Sequence, residues 1–137
     1  MFKGLLESES LLNLDILSEL EIIGSHQEFF PEQKTKIVTV NKLKISDQKI
    51  KLVIDLISKK YIKPEWYALF WDNKIVYVVF EDTIFKLKNT NPWDLSEIKL
   101  LTKYATSNGI LKKHIDEMRL TMINFDSPRA NNSLTNR

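Results

Sequence analysis

Between Trp66 and Leu87 the chain holds three short runs of apolar and aromatic residues, WYALFW, IVYVVF and TIFKL, parted only by Asp72-Asn73-Lys74 and Glu81-Asp82. β-Branched and aromatic side chains suit a pleated surface, and two- or three-residue connections join antiparallel neighbours. The stretch therefore predicts a three-stranded antiparallel meander. Eight of the 14 aromatic residues fall between Trp66 and Trp93, so any binding surface is expected there too. In the first strand Trp66, Ala68 and Phe70 share one face while Tyr67, Leu69 and Trp71 share the other. In the second, Val76, Val78 and Phe80 oppose Ile75, Tyr77 and Val79. Both faces of this meander are apolar. Each must be covered by the chain itself, by a second copy or by a ligand.

The rest of the chain offers the cover. Residues 7–19, with Leu11, Leu12, Leu14, Ile16 and Leu17, suggest a short helix that Ser8 or Ser10 caps. Leu20 to Phe30 reads as a strand with a bulge or bend at Gly24, and Pro31 to Lys34 as a turn. Lys36 to Ile45 alternates as a second strand, with Ile37, Thr39, Asn41, Leu43 and Ile45 on one face and Lys36, Val38, Val40, Lys42 and Lys44 on the other. Its flanking lysines suit a sheet edge. Asp47 to Tyr61 has helical spacing in Ile50, Val53, Ile54, Ile57 and Tyr61, widened by Leu52 and Leu56, with Ser46 as expected N-cap. Lys63-Pro64-Glu65 ends it. Asn91-Pro92-Trp93-Asp94 signals a last main helix with Asn91 as cap, stopped at Asn108-Gly109. Leu111 to Leu120 forms a shorter one, and the polar stretch 126–137 (DSPRANNSLTNR) is expected to be disordered.

The order α-β-β-α-β-β-β-α-α predicts an α+β domain over residues 1–125, with one antiparallel sheet of about five strands and helices packed mainly on one face. At 137 residues one core suffices without a staple. The absence of Cys removes thiol nucleophiles, zinc thiolates and disulfides. No apolar run nears the ~20 residues that span a bilayer, and the start lacks the pattern of a secretory signal. The expectation is a cytoplasmic protein without membrane contact.

The stretch Lys63-Pro64-Glu65-Trp66-Tyr67-Ala68-Leu69-Phe70, followed by Val78-Val79-Phe80, Ile84-Phe85-Lys86 and a helix ending Ser107-Asn108-Gly109-Ile110, resembles a group of small uncharacterised prokaryotic proteins with a KPxWYAxF…VVF…F pattern. The likeness runs from about Leu20 to Ile110 and departs after Gly109. It implies a shared α+β fold. It supplies no activity and no catalytic residue.

No constellation points to catalysis. His26 and His114 stand alone, without ligand-spaced partners, so neither a metal nor another cofactor is expected. The three glycines, Gly4, Gly24 and Gly109, form no phosphate loop. Glu81-Asp82 suits a tight turn and Asp116-Glu117 a solvated helix face. Charge is uneven: residues 1–33 carry a net −6 and residues 34–63 a net +7. The two segments can neutralise each other, or the basic one can meet an anion. Two functional expectations follow. The first is a non-enzymatic interaction module, a homodimer or a partner of another protein, using Trp66, Tyr67, Trp71 and Tyr77 on a sheet face or using a sheet edge. The second is a single-stranded nucleic-acid binder that stacks bases on those rings and holds phosphates with Lys42, Lys44, Lys59, Lys60 and Lys63. Scarce Arg and the absence of an RNP-like motif weigh against the second.

Overall fold

The computed structural model describes residues 1–32 and 35–126. Six antiparallel strands form one open sheet: β1 (Phe2–Glu7), β2 (Glu21–Phe29), β3 (Ile37–Ile45), β4 (Ala68–Trp71), β5 (Ile75–Phe80) and β6 (Thr83–Lys88), in the order β2-β3-β1-β4-β5-β6. The meander stands as the sequence predicts, with Phe70 opposite Tyr77 and Val78 opposite Phe85. The bulge expected at Gly24 lies between Ile22 and Gly24.

The sixth strand is the one the sequence reading lacked. β1 is central, pairing with β3 on one side and β4 on the other. Its side chains alternate between two cores, Phe2 and Leu6 to one and Leu5 to the other. Burial on both faces leaves Phe2, Leu5 and Leu6 without the period-two alternation of a half-exposed strand. Gly4 sits where β1 crosses Phe70, and a Cβ there would lie 2.5 Å from the ring's Cδ1. The helix expected over 7–19 is instead two 3₁₀ turns, Ser8–Ser10 and Asp15–Glu19. Leu11 and Ile16 are buried, but Leu12 and Leu14 point outward.

The presence of β1 also moves β3 inward, so β3 is second from the edge and its lysines guard no edge. Its charge is tolerated because Lys44 reaches past the core to water, while Lys42 Nζ lies 5.5 Å from the Phe125 ring centre.

The helices cover both faces, not mainly one. α1 (Ile50–Leu56) and the π-helical turn Ile57–Tyr61 pack Ile50, Ile54 and Ile57 against Phe2, Leu6, Leu43, Phe70, Tyr77 and Val79. Ser46 starts this helix through its carbonyl, which accepts from Lys49 and Ile50, without a side-chain cap. On the other face α2 (Leu95–Ser107), α3 (Lys112–Asp116) and α4 (Met118–Ile123) pack with Trp93 and Phe125 on Leu5, Val38, Leu69, Trp71, Val76 and Val78. The cap of α2 is Asp94, whose carboxylate accepts from the Ser96 and Glu97 amides, and not Asn91. The single helix expected over 111–120 is broken at Glu117. Gly109 ends the preceding helix as expected, at φ 89°.

Two polar clamps fix the layers. Ser58 Oγ donates to the Phe80 carbonyl at 2.6 Å, and Asp82 N donates to the Ser58 carbonyl at 3.0 Å, tying the π turn to the β5–β6 hairpin. Buried Asn41 donates to the Leu6 carbonyl and Ser8 Oγ and accepts from Ser25 Oγ, so every strand from β1 to β2 shares one satisfied network. The expected disordered stretch 126–137 lies outside the described residues, except Asp126, which accepts from Lys3 Nζ at 3.0 Å.

Candidate interaction surface

The aromatic residues singled out for binding are core. Trp71 and Tyr77 are 7% and 6% exposed and lie on opposite faces of the sheet, Trp71 edge-on to Phe125 and Tyr77 beside Phe2. Trp66 and Tyr67 are half-buried where the chain enters β4. Trp66 packs against both cores, and Tyr67 donates to the His114 carbonyl at 3.4 Å. Four rings with this distribution offer no common stacking platform.

The lysines are dispersed in the same way. Lys42 and Lys44 project from β3 on the face shared with α2–α4. Lys59 and Lys60 sit on the π turn across the sheet, where Lys59 pairs with Asp55 at 3.3 Å. Lys63 Nζ donates to the Glu9 carbonyl at 3.1 Å. Glu9 in turn accepts from the Thr39 amide at 2.7 Å, so acidic and basic segments of this chain meet each other here. The +7 block is thus split over two faces and makes no single anion track.

A cluster of titratable groups lies between β1, β2 and α3, and the sequence reading missed it. Glu7, Val40 and His26 are consecutive across β1, β3 and β2 and therefore share a face. His26 Nε2 meets Glu28 Oε2 at 2.5 Å, with both side chains largely enclosed. His26 Nδ1 is buried without a hydrogen-bond partner among the described residues. Burial, and next the Glu28 and Glu9 carboxylates, push Glu7 up to about 8. Burial likewise raises the Tyr67 phenol, helped by Glu7, Glu117 and Glu28. Nearby, burial lowers His114 while Glu32, 3.5 Å away, opposes that shift. Glu32 is itself lowered, first by a hydrogen bond from its own backbone amide and then by Lys113. The signals in sequence were single residues far apart, Glu7, His26 and Tyr67, with no motif linking them.

No three His, Cys, Asp or Glu side chains among the described residues converge as a metal-ligand set. No helix among them is long and apolar enough to cross a membrane.

With most of both faces covered, the two outer strands are the ones that lack a second neighbour among the described residues. Among the described residues β2 pairs only with β3, and Ile22 and Ile23 stand 40% and 43% exposed beside its outer side. Among the described residues β6 pairs only with β5, and its last amide, Lys88 N, is taken by Glu97 Oε1 at 3.4 Å. No protein-family model, no curated protein and no solved structure matches the chain.

Proposed function

We propose that this protein is a non-enzymatic interaction module that self-associates through the outer edge of β2. The carrying observation is the segment Glu21–His26. It meets no strand of the described residues on its outer side and bears two large aliphatic side chains in water, in a sheet whose two faces are largely packed. An unpaired row of backbone donors and acceptors beside exposed Ile22 and Ile23 is a template for strand pairing. The same edge of a second copy completes it by a twofold axis, which closes the assembly at two subunits. Antiparallel pairing of Glu21–His26 with itself sets each Glu21 against the other copy's His26, so no like charges are forced together. Helical cover and sheet depth keep the aromatic cores out of this contact.

The test is the solution mass. Static light scattering is expected to give twice the 16.1 kDa chain mass, and Ile23→Lys to return it to that of one chain with an unchanged circular dichroism spectrum. A single-chain mass for the unaltered protein at ~100 µM, a concentration at which even a contact worth ~6 kcal/mol is largely formed, refutes the proposal.

A further inference from the structure

An open groove of about 490 Å³ runs between α1 and the β5–β6 edge, lined by Lys51, Leu52, Ile54, Asp55, Tyr77, Ile84 and Lys86. Its geometry follows from the fold. α1 covers the centre of the sheet, and the outermost strand extends beyond it. Ile84, Lys86 and Lys88 alternate onto this face because they pair with Val79, Tyr77 and Ile75. The floor is apolar, with Tyr77 and Ile84, and Leu52 forms a wall that is 71% exposed. The rim is cationic. Lys51 and Lys86 are exposed and make no ion pair with any described residue, whereas the acid in the groove, Asp55, is already paired with Lys59. The Tyr77 hydroxyl makes no hydrogen bond to a described residue.

The groove opens directly onto the unpaired edge of β6. A strand laid along Thr83–Leu87 would hydrogen-bond to that edge, and every second side chain would enter the groove between β6 and α1. We propose that this is a docking site for an extended peptide, bound as a seventh strand, with a β-branched side chain opposite Ile84 and a carboxylate opposite Lys86. Main-chain pairing supplies affinity in this mode, and the alternate side chains supply selectivity. Charge complementarity selects the acid: the unpaired ammonium groups of Lys51 and Lys86 flank the groove, and Tyr77 adds a neutral donor at its floor. Five edge residues span ~16 Å, enough for a peptide of five to seven residues. The site lies on the strand opposite β2 in the sheet, so it does not depend on how copies associate.

The probe is fluorescein-labelled Thr-Val-Thr-Glu-Thr-Glu-Thr, titrated with the full chain by fluorescence anisotropy. Saturable binding is expected, weakened on the order of tenfold by Lys51→Glu/Lys86→Glu and weakened by added NaCl. Both lysines are exposed, so circular dichroism should be unchanged. Two further peptides, N-methylated at alternate residues in opposite phases, separate strand addition from charge attraction. One phase must lose binding, because it removes the amides that face β6. The proposal is overturned if the probe fails to bind at millimolar protein, if the Thr-Val-Thr-Lys-Thr-Lys-Thr peptide binds equally, or if both methylated peptides bind like the parent. It is also overturned if the double substitution dissolves a self-assembly while peptide binding is absent, since the occupant would then be a second copy.

Discussion

Of the three glycines Gly4 has the least room for a side chain, and Gly4→Ala tests whether β1 lies where it does. The added Cβ would stand 2.5 and 2.6 Å from two ring atoms of Phe70 and 3.4 Å from Leu43 Cβ. Ordinary contact begins near 3.4 Å, so the ring or the strand must give by about 1 Å. Phe70 has no exposed surface and packs inside the core beneath α1, so it cannot swing aside. Overpacking of this kind costs roughly 1–3 kcal/mol, and the clash is severe enough to place it at the upper end. Removing a glycine from a strand returns roughly 0.5–1 kcal/mol through chain entropy. The net is a loss of about 2 kcal/mol. At ~2.1 cal/mol/K per residue, unfolding entropy for this chain length is ~0.3 kcal/mol/K, so Tm should fall by about 7 °C. Urea unfolding followed by tryptophan fluorescence reads the change directly. Gly24→Ala is the control, because its Cβ meets only Lys42 Cδ at 3.9 Å, and without a clash it should keep the entropic gain and stabilise by roughly 0.5–1 kcal/mol. Phe70→Leu should relieve the clash, so the double variant must be more stable than the sum of the single losses. If Gly4→Ala leaves Tm within 1–2 °C, or if the two losses add, β1 does not cross Phe70 at this distance.

Two other outcomes follow from the polar groups. Glu7 has its folded-state pKa raised from 4.5 to about 8. The protonated form is favoured by folding, so its contribution is fully present below pH 4.5 and is lost as pH rises through 8. Because Glu7 is only half-buried by surface area, the loss is set at ~2–3 kcal/mol rather than the full ~5 that the shift implies. Glu7→Gln should flatten that part of the stability profile between pH 5 and 9, and equal slopes for the two proteins would refute the assignment. Ser58→Ala removes the 2.6 Å donor to the buried Phe80 carbonyl. It should cost about 1–2 kcal/mol in urea titrations, and a neutral effect would show that the clamp between π turn and hairpin contributes nothing.

Features governed by short-range chemistry were readable in the chain. The turn pairs at Asp72-Asn73-Lys74 and Glu81-Asp82 dictated the meander, and alternation within each strand parts Phe70 from Trp71 and Val76 from Tyr77 as expected. The Gly24 irregularity, the helix start near Ser46 and the Gly109 stop belong to the same class. Asn91 was misread as a cap because Asn-Pro is an acceptable start signal, yet Asp94 reaches two amides that Asn91 does not. Leu12 and Leu14 fitted a helical stripe, and only the neighbouring bridge from Leu11 to Ile62 shows why that segment turns instead. The titratable cluster was invisible for a related reason. Glu7 and His26 come together through Val40, a residue of a third strand with no polar signature of its own.

By itself the sequence determined an α+β chain with an antiparallel meander, a bulged strand, an amphipathic segment from Asp47 and no thiol chemistry. Each depends on periodicities and turns within a few residues. The tertiary structure alone decided that Phe2–Glu7 is the middle of a six-stranded sheet, that α1 and α2 lie on opposite faces, and that the aromatic rings are therefore consumed as core. Those outcomes depend on pairings such as Phe2 with Ile45 and Gly4 with Phe70, across more than forty residues. Such contacts are stabilised by shape and burial that exist only once the layers have closed, and once they close the surfaces left for a partner are the strand edges.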